Sequence, residues 1–260
     1  MSALRVERDG ALLRVAMARP DRRNAFDAAL IAELTEAFTN VGDARAVVLS
    51  GDGLSFSAGA DVDWMRSSID LDFDENVADA MRLRMMLEAI DGCPAPVVAR
   101  IQGHALGGGC GLVACCDIAV AEPEAQFGFS EVKLGIVPAV ISPFALAKIG
   151  PSAARRWFVT GERFAADVAL RIGLVHEVAA DLDAAVDDIV GELLTAGPGA
   201  ARAAKELARS PLPADATARR IAAHRTSAEG QEGLQAFLER RPARNPDGTP
   251  WGAYAPHDEP

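Results

Sequence analysis

Residues 103–120, GHALGGGCGLVACCDIAV, restrict what this chain can fold into more than any other stretch. Gly107, Gly108 and Gly109 stand in a row at the head of a mostly apolar segment. Glycine loses more freedom on ordering than any other residue and has no side chain to pack. A run of three therefore marks a place that needs bare backbone. If the following segment is a helix beginning near Cys110, its first N–H groups lack internal partners and sit at the positive end of the helix dipole. Such an end receives an anion or a developing oxyanion. The plainer reading is close packing at a tight turn, and the recurrence of Gly103, Gly107 and Gly111 every four residues would give one helix face that use. GCGLVA also fits the dinucleotide pattern GxGxxA, but Gly109 lies well past the expected strand end, which weakens that match. No Walker A pattern, GxSxG elbow or HExxH pair occurs.

The surrounding pattern is one of short strands and helices. LRVERDGALLRVAM reads as a hairpin turning at Asp9-Gly10. Asp27 reads as the N-cap of a helix with Leu30, Leu34 and Phe38 on one face. Segments 45–51, 95–103 and 117–123 read as buried strands, AQFGFSE as a fourth short one, and residues 76–90 as a strong helix closed by Gly92 and Pro94. IDLDFDEN is expected to be a mobile, solvated acidic segment. Beyond Pro143 the chain reads as mainly helical, with three helices in its last third and an irregular tail, NPDGTPWGAYAPHDEP. The expected class is α/β or a repeating ββα unit, with no exact repeat visible.

A chain of 260 residues, 50 % hydrophobic, can bury one sizeable core. A net charge of -11 argues against nucleic acid and anionic membrane surfaces as partners. No apolar run reaches bilayer length and the N-terminus lacks a signal-peptide core, so no membrane is expected and the setting is read as cytoplasmic. Cys93, Cys110, Cys115 and Cys116 fit neither a zinc nor a CxxC spacing, and the four histidines are scattered, so no metal is expected.

Two further stretches carry chemistry. SFSAGAD (55–61) is a second small-residue loop at a strand end, able to bring another backbone N–H toward the point faced by the glycine run. In AQFGFSEVKLGIVPAV, Glu131 stands among Phe127, Phe129, Val132 and Leu134. Apolar surroundings would raise its pKa and suit it to moving protons; alternatively it pairs at the surface with Lys133 or an arginine.

Three segments in order, SGDGLSFSAGADVDWM, IQGHALGGGCGLVACCDIAVA and AQFGFSEVKLGIVPAVISPFALAKIG, resemble the crotonase superfamily, the enoyl-CoA hydratase/isomerase family. The likeness runs from RPDRRNAF to EGLQAFLERRPA, ending at residue 243. It implies a crotonase-like spiral of ββα turns, with a core over 1–195 holding an acyl-CoA site and a helical trimerisation region and irregular tail over 196–260. The implied partners are an acyl-CoA thioester and other copies of the chain, as a trimer or a dimer of trimers; coenzyme A is part of the substrate, so no separate cofactor is implied. By motif position, Ala60 and Gly108 would supply two oxyanion-hole N–H groups, with Glu131 as the acid/base. Arg23, Ala25, Phe26, Ala58, Gly59, Asp61 and Val62 match positions lining coenzyme A, while His104, Gly107, Gly111, Ser130 and Pro138 match positions around the acyl group. Phe237 and Arg240 lie where a C-terminal helix of the family reaches a ligand.

One departure matters. Hydratases of the family commonly use two glutamates, and the first of those positions is Gly111 here. A single carboxyl can still relay a proton through water in a syn addition, and double-bond migration needs only one shuttle. A finer likeness, in SAGADVDWMRSSIDLDFDENVADA, GCGLVACCDIAVA and SEVKLGIVPAVISPF, is to bacterial methylglutaconyl-CoA hydratases of leucine breakdown. Three functions follow as expectations: an enoyl-CoA hydratase of fatty-acid or leucine breakdown, an enoyl-CoA isomerase, and a non-catalytic acyl-CoA binder.

Overall fold

The computed structural model describes residues 2–210 and 212–251. They divide into two compact units, one ending at Asp187 and the other starting at Asp188.

The first unit opens with strands β1 (Leu4–Asp9) and β2 (Leu12–Met17), paired antiparallel across Asp9-Gly10 as the turn signal requires. Helix α1 (Ala28–Thr39) follows, its Asp27 side chain accepting from the Leu30 N–H. Then come β3 (Ala46–Gly51), α2 (Val62–Ser67), α3 (Phe73–Asp91), β4 (Val97–Ile101), β5 (His104–Leu106) and α4 (Gly108–Cys115). Next are β6 (Ile118–Ala121), β7 (Gln126–Gly128), α5 (Ser142–Thr160), β8 (Arg163–Ala165), α6 (Ala166–Arg171) and β9 (Glu177–Val178). Helix α7 (Leu182–Thr195) runs across the boundary between the units.

The strands form a larger sheet in the order β1-β2-β3-β4-β6-β9, parallel from β2 onward, and a smaller one in the order β5-β7-β8. The chain visits them in turn: β4 to β5 to α4, then β6 to β7 and on to α5. Even the loop after β3 joins in, through a parallel bridge from Ser57 to Ala105. Each turn is thus a strand in one sheet, a short strand in the other and a helix, wound as a spiral. The α/β expectation and its ββα repeat hold. β3 and β4 are almost wholly buried and read as continuous aliphatic runs, as parallel strands covered on both faces do. Two polar groups tie the spiral inside: the Asp117 carboxylate accepts the Val97 N–H at 2.7 Å, and Lys148 Nζ donates to the Cys116 and Asp117 carbonyls at the end of α4. A cation there also meets the negative end of the helix dipole. The four cysteines are buried thiols, none of them in a disulfide.

In the second unit, α8 (Pro198–Arg209), α9 (Ala214–Thr226) and α10 (Ala228–Glu239) precede two short strands, β10 (Ala243–Arg244) and β11 (Pro250–Trp251), paired antiparallel. Glu229 caps α8 by accepting from the Gly199 and Ala200 N–H groups.

Five sequence expectations are corrected. The acidic segment is ordered: Asp72 and Glu75 form a reciprocal capping box, so α3 starts at Phe73. α4 starts at Gly108, so Gly103 lies outside it and Gly107 is its N-cap; the glycines do not share one helix face. His104, just beyond the strand expected over 95–103, opens β5, a separate strand. The last long helix breaks at Ser227, which ends α9 and caps α10. The tail, read as irregular, forms β11 up to Trp251, and residues 252–260 lie outside the described part.

Candidate active site

A cavity of about 250 Å³ opens in the first unit, lined by Phe26 and Ala60 before α2, Trp64 and Met65 on α2, Asp79, Ala80 and Leu83 on α3, Gly108 at the start of α4, and Glu131 with residues 136–141 before α5. Five expected residues, Phe26, Ala60, Gly108, Glu131 and Pro138, therefore meet at one space.

The backbone around the two expected amides is fixed by Phe26. Its N–H donates to the Gly59 carbonyl at 2.8 Å, and its own carbonyl accepts the Asp61 N–H at 3.0 Å. In this parallel bridge the Ala60 N–H is left on the opposite side and has no acceptor among the described residues. The Gly108 N–H, first of α4, has none either. The two loops touch closely: a Cβ on Gly59 would stand 3.4 Å from the Gly108 nitrogen. A Cβ on Gly108 would collide with the Phe26 ring, and Gly107 has φ +52. Close approach and a left-handed turn account for two glycines of the run.

Glu131 begins a short 3-10 turn after Ser130. One carboxylate oxygen lies beside Gly107, 3.4 Å from where a Cβ there would be. The other, Oε2, is sealed from solvent and accepts no hydrogen bond. Burial pushes this carboxyl above its ordinary range, opposed only by its own backbone N–H. The alternative surface pair with Lys133 does not form.

Gly111 is buried in α4, and a Cβ there would lie 2.5 Å from Ile141 Cγ2 and 3.6 Å from Leu87 Cδ2. The space a second glutamate would need is filled by Ile141.

The other expected residues divide. Ala25 and Gly59 are buried, and Ala58 donates its N–H to the Arg23 carbonyl. Arg23 holds φ +51 and its side chain is exposed beside the site loops. Asp61 is buried as the N-cap of α2, 3.0 Å from Arg19. Burial alone would raise its pKa, but the Asp63 N–H and Arg19 outweigh this and hold it below the usual carboxylate range. Val62 is exposed. His104 does not line the cavity; its Nδ1 lies 3.2 Å from Ser55 Oγ, and burial, with Arg163 and Arg23 nearby, lowers its pKa. Ser130 lies next to Glu131 but outside the lining. Phe237 and Arg240 belong to the second unit, at the end of α10. Sequence reasoning missed the part of the α3 wall beyond Asn76. Asn76, Asp79, Ala80 and Leu83 follow i, i+3, i+4, i+7 spacing, which was the available signal.

Residues 7–247 match the family model described as enoyl-CoA hydratase/isomerase. A crotonyl-CoA hydratase of Syntrophomonas wolfei is 35 % identical over 238 residues, covering 86 % of this chain and 90 % of that protein. A solved enoyl-CoA hydratase from Shewanella pealeana superposes with a TM-score of 0.87 at 40 % identity, covering 92 % of this chain and 94 % of that one. Pseudomonas aeruginosa AtuE superposes at 0.88 with 35 % identity, covering 92 % and 97 %. The chain belongs to the enoyl-CoA hydratase/isomerase family of enzymes and has the crotonase fold.

Proposed function

We propose that this enzyme adds water across the α,β double bond of an enoyl-CoA thioester, with Glu131 as its only carboxylic acid/base and the Ala60 and Gly108 N–H groups as the oxyanion hole. The observation that carries the reading is the meeting, at a single cavity, of a carboxyl whose Oε2 has no partner and two amides with no acceptor among the described residues. The thioester oxygen would accept from both amides. Glu131, ionised, would take a proton from water as the water oxygen bonds to Cβ. The double-bond electrons move to Cα and the carbonyl, and the resulting enolate is held by the two N–H donors. The protonated Glu131 then delivers its proton to Cα, so one H and one OH have been added. A raised pKa suits both halves of this cycle. Exposed Arg23 is suited to a coenzyme A phosphate. The relatives named as enoyl- and crotonyl-CoA hydratases support the reaction type.

The acyl group has two candidates: an unsubstituted enoyl chain, and the 3-methylglutaconyl group suggested by the finer likeness. The trimeric assembly implied by the resemblance is a proposal of the same kind. Glu131 would also suit a second reaction, double-bond migration, by carrying a proton between Cα and Cγ. Spectrophotometry separates the two. Hydration removes the conjugated enoyl absorbance of crotonyl-CoA, whereas isomerisation creates it from a 3-enoyl-CoA. Conjugation lost in the wild type and preserved with Glu131→Gln supports hydration; an enzyme acting only on the 3-enoyl-CoA overturns it.

A further inference from the structure

We infer that the cavity selects an uncharged enoyl group, and that Asp79 is the residue that turns away acyl chains ending in a carboxylate. This deepens the reading of the site as an enoyl-CoA site and rests on it.

The cavity walls carry the argument. None of the lining residues is Lys, Arg or His, and two, Glu131 and Asp79, are carboxylic acids. Most of the rest is hydrocarbon: Leu83, Val137, Val140 and Ile141 among them. Asp79 is buried, with 12 % of its side chain exposed. Its Oδ1 accepts from Arg82 at 2.6 Å, one turn further along α3, and no described residue donates to Oδ2. Arg82 is half exposed and lies outside the lining, so solvent weakens its compensation of Asp79 inside the cavity.

The polar groups beside Asp79 are oriented the same way. Ser68 spends its hydroxyl proton on the Met65 carbonyl at 2.7 Å. Asn76 donates its amide N–H groups to the Leu71 and Asp72 carbonyls at 3.0 and 2.9 Å. Each is left with an oxygen to offer. This part of the wall accepts hydrogen bonds and donates few. An acyl carboxylate needs donors or a cation, and would instead lose its hydration against like charge and acceptors. An apolar chain, or one bearing a hydroxyl that can donate, meets no such cost.

The test compares matched pairs. For turnover, 2-pentenoyl-CoA is set against glutaconyl-CoA and 3-methylglutaconyl-CoA. For binding without chemistry, valeryl-CoA is set against glutaryl-CoA by calorimetry. The wild type is expected to favour the uncharged member by about tenfold or more. The gap should narrow in Asp79→Asn and Asp79→Ser, and in the wild type as ionic strength rises. The salt series needs no variant, so a folding defect at residue 79 leaves the inference testable. A wild type that takes the carboxylated members equally well or better overturns it, as does a gap that neither salt nor substitution moves. If no enoyl-CoA is hydrated yet valeryl-CoA still binds over glutaryl-CoA, the hydratase reading falls and the charge selection stands. If hydration occurs and glutaryl-CoA binds as well as valeryl-CoA, the reverse holds.

Discussion

The Phe26 ring occupies the place where a Cβ on Gly108 would stand. The residue that holds Ala60 in position through its backbone thus also seats the other amide through its side chain. Gly108→Ala forces the ring or the α4 terminus to move. Overpacking of this kind costs about 1–3 kcal/mol of stability. If the Gly108 N–H serves an oxyanion, its displacement lowers kcat by about 10²- to 10³-fold. Steady-state kinetics with thermal denaturation checks both. Phe26→Ala paired with Gly108→Ala should relieve the clash without restoring kcat, because the Ala60 bridge loses its packed anchor.

Glu131 is expected to be costly to the fold and necessary to the reaction. One oxygen of its buried carboxyl, Oε2, has no partner, and its folded-state pKa is raised by burial. A raised carboxyl favours the folded state fully below the unfolded pKa, and that contribution is lost as pH rises through the folded value. Glu131→Gln should therefore lose about 10²- to 10⁴-fold in kcat, yet gain melting temperature at neutral pH. The gain should shrink on acidification toward the ordinary carboxylate range. In the wild type, kcat/KM should rise with pH through one ionisation lying above that range, since the ionised form must take the water proton. Equal melting curves for the two proteins at every pH would contradict the burial argument.

Gly111 shows why a missing catalytic residue is not restored by writing it back. Ile141 stands 2.5 Å from the Cβ position and Leu87 closes the other side. Gly111→Glu should lower stability by about 1–3 kcal/mol or more and leave turnover unimproved. Adding Ile141→Ala opens the space. The double variant should recover part of the melting temperature lost by the single one, a coupling that a double-mutant cycle measures directly.

Much of this was legible in the chain. The Asp9-Gly10 hairpin, the Asp27 cap and the aliphatic strands at 46–51 and 97–101 follow from local rules acting on a few adjacent residues. Ala60, Gly108 and Glu131 were each marked locally, by small residues at strand ends and by an acid among apolar neighbours; the paired strand-end loops suggested that the two amides converge, but that Glu131 joins them is tertiary and came only through the resemblance. β5 has three residues, too few to show alternation. The Asp72–Glu75 capping box was written in the sequence and hidden by the surrounding acids, which made solvated coil the simpler reading. Ile141 over Gly111 joins positions thirty residues apart that no spacing rule connects.

Asp61 offers the sharpest separation of scaffold from chemistry. It adjoins Ala60, matches a position expected to line coenzyme A, and is nevertheless buried in structural bonds. Its Oδ1 accepts the Asp63 N–H at 2.9 Å and its Oδ2 the Arg19 guanidinium at 3.0 Å. Arg19 in turn donates to the Ala25 carbonyl and pairs with Asp27. The loop carrying Ala60 is thereby bound to the loop carrying Phe26. Asp61→Ala removes an N-cap and one arm of this network, and should cost about 1–2 kcal/mol. Asp61→Asn retains cap geometry and should cost less. Because the folded-state pKa of Asp61 is lowered, its contribution is complete above the unfolded carboxylate value and lost as pH falls through the folded one. The wild-type advantage over Asp61→Asn should therefore be full at neutral pH and vanish only in strong acid, opposite in sign to the behaviour of Glu131. Denaturant titrations of both variants across the acidic range would show the two curves diverging, and parallel curves would remove the ion-pair account of this loop.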